Sequence, residues 1–232
     1  MNSKYWYHLF FADLLAELLA IAFQWNNMRL FTKPLLLIIL LTAFIISSAK
    51  FPPLRYYMAA ALFFSWLGDI FLLMDTKISY GFIAGLGSFL VAHILYILFF
   101  MRVRSKHLLQ KPWSIFVIAA VVVYAMALFI FLYPHIGNLK LPVAVYALTI
   151  STMLIAAVHA FNKYNLDAAR NCIAGAILFV VSDSLLSVNK FYGSFPAAGI
   201  FIMVTYALAQ FAITKGSLQY LAGVNTVRLK QV

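Results

Sequence analysis

Eight stretches of this chain, at approximately residues 7–24, 34–49, 56–74, 80–101, 113–133, 141–161, 171–189 and 195–214, stay apolar for close to the ~20 residues that an α-helix needs to cross a bilayer. Inside hydrocarbon no water satisfies a backbone amide, so a spanning stretch of this kind must bond to itself as a helix. The pattern predicts an all-α, polytopic membrane helical bundle with eight transmembrane helices. Between the runs, "NNMRLFTKP", "KFPPLR", "MDTKISYG", "RVRSKHLLQKP", "YPHIGNLKLP", "NKYNLDAAR" and "NKFYGSFP" supply Pro, Gly, Asn and charge. None of these breaks is long enough for a soluble domain, so residues 1–232 read as a single integral membrane domain. Composition agrees, with 65% hydrophobic and only 10% charged residues, outside the range of a soluble globular fold.

The basic residues then have a topological meaning. Assigning the breaks alternately to two sides puts Lys4, Lys50, Arg55, Arg102, Arg104, Lys106, Lys111, Lys163, Arg170, Lys215, Arg228 and Lys230 with the termini, and Arg29, Lys33, Lys77, Lys140 and Lys190 opposite. By the positive-inside rule both termini are cytoplasmic. The formal net charge of +11 is scattered over these short breaks, without a basic domain to hold a duplex, so no nucleic acid partner is expected. The first run follows "MNSKYWYH" without a small-residue cleavage site and reads as a retained helix. Short loops and the lack of an organelle retrieval signal point to a bacterial inner membrane. Cys172, the single cysteine, provides neither a disulfide nor a thiolate metal site.

Against this background the acidic residues stand out. Four of the six, Asp13, Glu17, Asp69 and Asp183, fall inside apolar runs. An Asp at the centre of a membrane helix costs about 2.5–3.5 kcal/mol on insertion scales, which makes each a candidate functional group. Asp69 in "FFSWLGDIFLLM" lies 14 residues beyond Arg55, and Asp183 in "GAILFVVSDSLL" lies 13 beyond Arg170. The third and seventh runs travel in the same direction, so the two carboxylates reach matched depth and can meet. Tyr96 follows Asp69 by 27 residues and Gln210 follows Asp183 by 27, an echo consistent with a 4+4 helix duplication in parallel orientation.

Other polar residues carry two readings each. In "FLVAHILY", Phe89, His93 and Tyr96 share a helix face; the histidine is either a packing residue or a ligand, and no second histidine or glutamate stands at metal-binding spacing. No metal and no cofactor are expected. Asp13 and Glu17, four apart, either line a cavity or sit solvated or protonated near the inner interface. Lys33, before Pro34, starts the second helix on the outer side and by itself reads as an interfacial anchor.

Taken together and in order, "TKPLLL", "FFSWLGDIFLL", "FLVAHILYI", "LPVAVYALTISTM", "GAILFVVSDSLL" and "TYALAQ" resemble the YhhN-type lysoplasmalogenases, multi-pass membrane hydrolases. The resemblance covers the second to eighth runs and leaves the first without a match. It implies hydrolysis of the vinyl ether bond of lysoplasmalogens to a fatty aldehyde and glycerophosphoethanolamine or glycerophosphocholine, with Asp69 and Asp183 as the catalytic pair. The partners implied are a lysophospholipid substrate and membrane lipids.

The chemistry of the residues is compatible with this. A vinyl ether hydrolyses by protonation of its outer alkene carbon, giving an oxocarbenium ion to which water adds. Such a reaction needs a protonated acid near neutral pH and a base or anion facing the cation, the division of labour found in glycosidase carboxylates. Two neighbouring carboxyl groups in an apolar site supply both, because burial and like charge favour keeping one protonated. The spacing leaves open which aspartate donates. On this reading Lys33 meets a phosphate, Tyr96, Tyr146, Tyr206 and Gln210 hydrogen-bond a glycerol or headgroup, and His93 orients an aspartate or a water. A proton-coupled secondary transporter of a lipid or small amphiphile is the alternative, opposed by the lack of mid-span helix breaks in both halves. A lipid sensor without chemistry would leave the two aspartates unexplained.

Overall fold

In the computed structural model, which describes residues 3–75, 80–105, 112–161 and 165–229, the chain forms eight long helices. These are α1 (Ser3–Ala22), α2 (Asn26–Ser47), α3 (Arg55–Leu73), α4 (Gly81–Ser105), α5 (Ile115–Leu132), α6 (Lys140–Ala160), α7 (Leu166–Ser187) and α8 (Ala198–Leu229). Each is long and apolar enough to cross a bilayer. Among the described residues there is no strand. Short 3₁₀ turns at Tyr133–His135 and Gly137–Leu139 join α5 to α6, and a π turn, Val188–Tyr192, extends α7. Lys77, Lys106, Lys111, Lys163 and Lys230 of the charge tally lie outside the described residues.

Packing follows from small residues. Lipid tails are as apolar as leucine, so helices in a membrane are held by close contact and by hydrogen bonds between them. The tightest pairs are α3 with α4 and α7 with α8. In the first, Gly68 gives its missing side chain to Phe89: a Cβ there would stand 2.6 Å from the ring. In the second, a Cβ on Gly175 would stand 2.8 Å from the Ala209 carbonyl oxygen. Helix α8 also touches α1, α2 and α3, while α4 packs across onto α6. Phe44, Met58, Phe99, Phe100 and Tyr220 fill the interior. Helix α5 is the outlier: almost none of it is buried, and it leans on α6 with little else behind it.

Two boundaries differ from the hydropathy reading. Helix α2 begins at Asn26 rather than at residue 34, so Lys33 and Pro34 lie inside it. The polar string "NNMRLFTK" resembles a loop, but the first turns of a membrane helix pass through the interfacial layer, where such side chains are at home. Interior proline is tolerated in membrane helices when neighbouring groups take over the freed backbone positions. Lys33 is therefore no helix-starting anchor. Helix α8 continues to Leu229, past the expected end at 214, because nothing from Lys215 to Leu229 is a proline and the helix can run on beyond the hydrocarbon. Among the described helices, α2 has an interior proline; Pro142 of α6 stands in its first turn, where no amide partner is lost.

Candidate active site

Both intramembrane aspartates lie near the end of the bundle opposite the termini. Helix α3 brings Asp69 in four residues before its end, and α7 brings Asp183 the same distance before Ser187. Asp69 is buried, at 2% exposure. Its Oδ2 accepts a hydrogen bond from the Tyr206 phenol at 2.8 Å, and Lys33 Nζ stands 3.6 Å from Oδ1. The displaced start of α2 explains the second contact. A lysine almost two turns inside a helix reaches the depth of Asp69, which a lysine at the helix mouth would not.

From Asp69 a polar chain crosses the bundle. Tyr206 also receives a long contact from Gln210 Nε2 at 3.5 Å, and Gln210 Oε1 accepts from the Tyr96 phenol at 2.6 Å. The two residues that stand 27 positions after their respective aspartates thus meet each other. Asp183 belongs to a separate pair: its Oδ2 accepts from the Tyr146 phenol at 2.5 Å. The two carboxylates thus take different tyrosines.

Between them stands a cluster of rings. Phe89 packs edge-on against Tyr206 with centroids 5.8 Å apart, and Phe179 packs edge-on against Tyr206 at 5.6 Å. His93, one turn along α4 from Phe89, packs against Phe179 at 4.7 Å and Tyr146 at 5.3 Å. It is fully buried, yet neither ring nitrogen has a well-aligned hydrogen-bond partner among the described residues.

A narrow cleft with a free volume of about 90 Å³ runs between α4, α5, α6 and α7. Its wall is apolar apart from a few groups, chief among them Asp183 and Tyr146. Asp69, Lys33, His93, Tyr96, Tyr206 and Gln210 are not on that wall; Phe89 is, and separates the cleft from the Asp69 layer. Tyr124 of α5 donates to Ser184 at 2.8 Å, fixing the loosely packed helix to the cleft's edge.

The first helix contributes a buried carboxylate that motif reasoning left without a role. Glu17 is fully buried, 3.2 Å from Arg29 Nε and 2.5 Å from Thr32 Oγ1, and thereby ties α1 to the first turns of α2. Asp13, one turn earlier, is nearly as buried, and its Oδ2 has no hydrogen-bond partner among the described residues. The signal for Glu17 was present in the sequence as the cations of "NNMRLFTK", which are unnecessary in a plain loop.

A family model described as the YhhN family matches residues 28–217 of the chain. Among curated proteins, a lysoplasmalogenase of Mycobacterium bovis is 30% identical over 164 residues, 70% of this chain and 60% of that protein. Lysoplasmalogenase TMEM86B of Rattus norvegicus is 29% identical over 196 residues, covering 84% of this chain and 75% of the relative. The human TMEM86B lysoplasmalogenase is 31% identical over 159 residues, 68% of this chain and 62% of the relative. The chain thus spans about 60% of the length of the mycobacterial relatives it matches. No solved structure matches it.

Proposed function

The chain belongs to the YhhN family, and from that premise we propose that it is a lysoplasmalogenase, hydrolysing the vinyl ether bond of a lysoplasmalogen to a fatty aldehyde and glycerophosphoethanolamine or glycerophosphocholine. The observation that carries the reading is the place of Asp183, a carboxyl group on the wall of an otherwise apolar cleft with its second oxygen held by Tyr146. An alkenyl chain fits along α5, whose residues from Val121 to Leu132 line the cleft for about three turns.

The unlike surroundings of the two aspartates divide the labour. Asp183 meets the cleft and, among the described residues, has no cation in ion-pair contact, so it is the acid that protonates the outer alkene carbon. Asp69 has the Lys33 ammonium and the Tyr206 phenol, both of which stabilise an anion, so it stays ionised and favours the developing cation by its charge from behind Phe89. Lys33 accordingly serves Asp69 rather than a substrate phosphate. Water then adds to the oxocarbenium carbon. The Asp183 carboxylate takes the proton that water loses, which restores the acid, and the hemiacetal hydroxyl proton passes to the glycerol oxygen as the hemiacetal collapses; His93, packed on the Tyr146 ring, orients Tyr146 and through it Asp183. Tyr96 and Gln210 keep Tyr206 in position through their hydrogen-bonded chain. The net reaction consumes one water and needs no redox partner.

The positive-inside bias supports cytoplasmic termini, and the short loops support a bacterial inner membrane as the site of action. The test is product analysis in deuterated water. Purified protein in detergent should release aldehyde carrying one deuterium at its α-carbon when trapped at early times, and Asp183→Asn should abolish release. Early-trapped aldehyde without that deuterium would exclude carbon protonation by an aspartic acid. No release in detergent, with lipid movement seen only across sealed vesicles, would favour a transporter.

A further inference from the structure

Behind two rings of the cleft wall, Phe82 and Phe191, stands a charged pair that the reaction leaves unused. Lys190, in the π turn after α7, bonds Asp75 at the end of α3. Asp75 is fixed from the other side, since its Oδ1 accepts the Phe82 amide at 2.9 Å. Lys190 Nζ also lies 4.7 Å above the Phe82 ring, and Phe82 packs edge-on against Phe191 at 5.7 Å. Both rings line the cleft. The pair is nevertheless reachable, with 39% of the lysine and 26% of the aspartate side chain exposed.

We propose that Lys190 and Asp75 form the headgroup subsite, taking a zwitterionic phospho-amine headgroup by opening their own ion pair, the phosphate going to Lys190 and the ammonium to Asp75. The inference rests on the lysophospholipid reading of the cleft given above. Register supports it. Lys190 follows Asp183 by seven residues, two turns of the same helix and ~10 Å of rise, with Ser187 and Phe191 lining the cleft alongside. A vinyl ether held at Asp183 therefore directs its glycerol, and the phosphate at the glycerol's other end, toward a lysine whose flexible stem bridges the remainder. The other described cations opposite the termini are committed elsewhere: Arg29 to Glu17, Lys33 to Asp69, and Lys140 to the face of Tyr133, which is not on the cleft wall.

A paired lysine also selects differently from a bare one. A zwitterion replaces both halves of the broken pair, whereas a net-anionic headgroup satisfies Lys190 and leaves Asp75 facing like charge. The subsite should thus prefer phosphoethanolamine or phosphocholine to phosphoglycerol.

The experiment measures equilibrium binding of saturated-ether lysolipids, which cannot be cleaved, to the full chain in detergent. Three probes are used: a phosphoethanolamine lipid, a phosphoglycerol lipid and the same glycerol ether without phosphate. Wild type should bind the phosphoethanolamine lipid most tightly. Lys190→Ala should weaken it by about tenfold while changing the phosphate-free ether by less than about twofold. Asp75→Ala should erase the preference over phosphoglycerol. Equal weakening of all three probes in Lys190→Ala would reduce the pair to a structural clasp. Headgroup-selective binding without aldehyde release from a vinyl ether substrate would leave this inference standing and overturn the reaction instead.

Discussion

Lys33 Nζ stands 3.6 Å from Asp69 Oδ1, an ion pair between α2 and α3 with 14% of the lysine and 2% of the aspartate side chain exposed. Charges this deep are costly one at a time, and each is tolerable because of the other. That mutual dependence makes the contact measurable.

Lys33→Met should lower kcat by about 10- to 100-fold with KM changed by less than about threefold, because the cation stabilises a catalytic anion and does not touch the substrate. It should also destabilise the protein by ~3 kcal/mol or more, the usual penalty for stranding one member of a buried pair. Adding Asp69→Asn to Lys33→Met should restore most of that stability and lower the rate no further than Asp69→Asn alone. Stability and steady-state kinetics of the four proteins complete the cycle; additive losses would show the two residues to be independent.

Tyr146→Phe and Tyr206→Phe each delete one phenol from one carboxylate. Hydrogen bonds to charged or strongly polarised partners contribute ~1.5–3 kcal/mol. Tyr146→Phe should be the more damaging to kcat, since Tyr146 is the hydrogen-bond partner of Asp183 among the described residues, whereas Asp69 keeps Lys33 when Tyr206 is truncated. Purified variants of matched thermal stability decide the ranking. The reverse order would assign the acid role to Asp69.

Gly68→Ala should cost ~1–3 kcal/mol and most of the activity, because its Cβ would meet the Phe89 ring at 2.6 Å and push it into the cleft. Gly87→Ala is the control. No atom lies within 4 Å of a Cβ there, so the added methyl should be neutral or stabilise α4 by up to ~1 kcal/mol. Thermal unfolding in one detergent compares the two, and equal behaviour would mean that Phe89 yields freely.

Much of this arrangement was legible in the chain itself, for a physical reason. A bilayer imposes length, apolarity and internal hydrogen bonding on every span, so eight runs of suitable length predict eight helices without any knowledge of their packing. The same environment makes each membrane carboxylate conspicuous, which is why Asp69 and Asp183 were visible as candidates, and their offsets from Arg55 and Arg170 already implied matched depth. Partnership was not legible. Taken alone, "TKP" carries the punctuation of a helix start and makes Lys33 an anchor, the family resemblance makes it a phosphate ligand, and only the course of α2 through Pro34 brings the lysine to Asp69. Nothing in a linear pattern could separate Asp183, on the cleft wall, from Asp69, behind Phe89. Hydropathy and spacing report depth and helix face, one segment at a time. Which carboxylate has a cation, which meets the cleft, and which ends of α3 and α7 are clasped by Asp75 and Lys190 are set by rotation and contact between helices distant in sequence, and those only the tertiary structure decides.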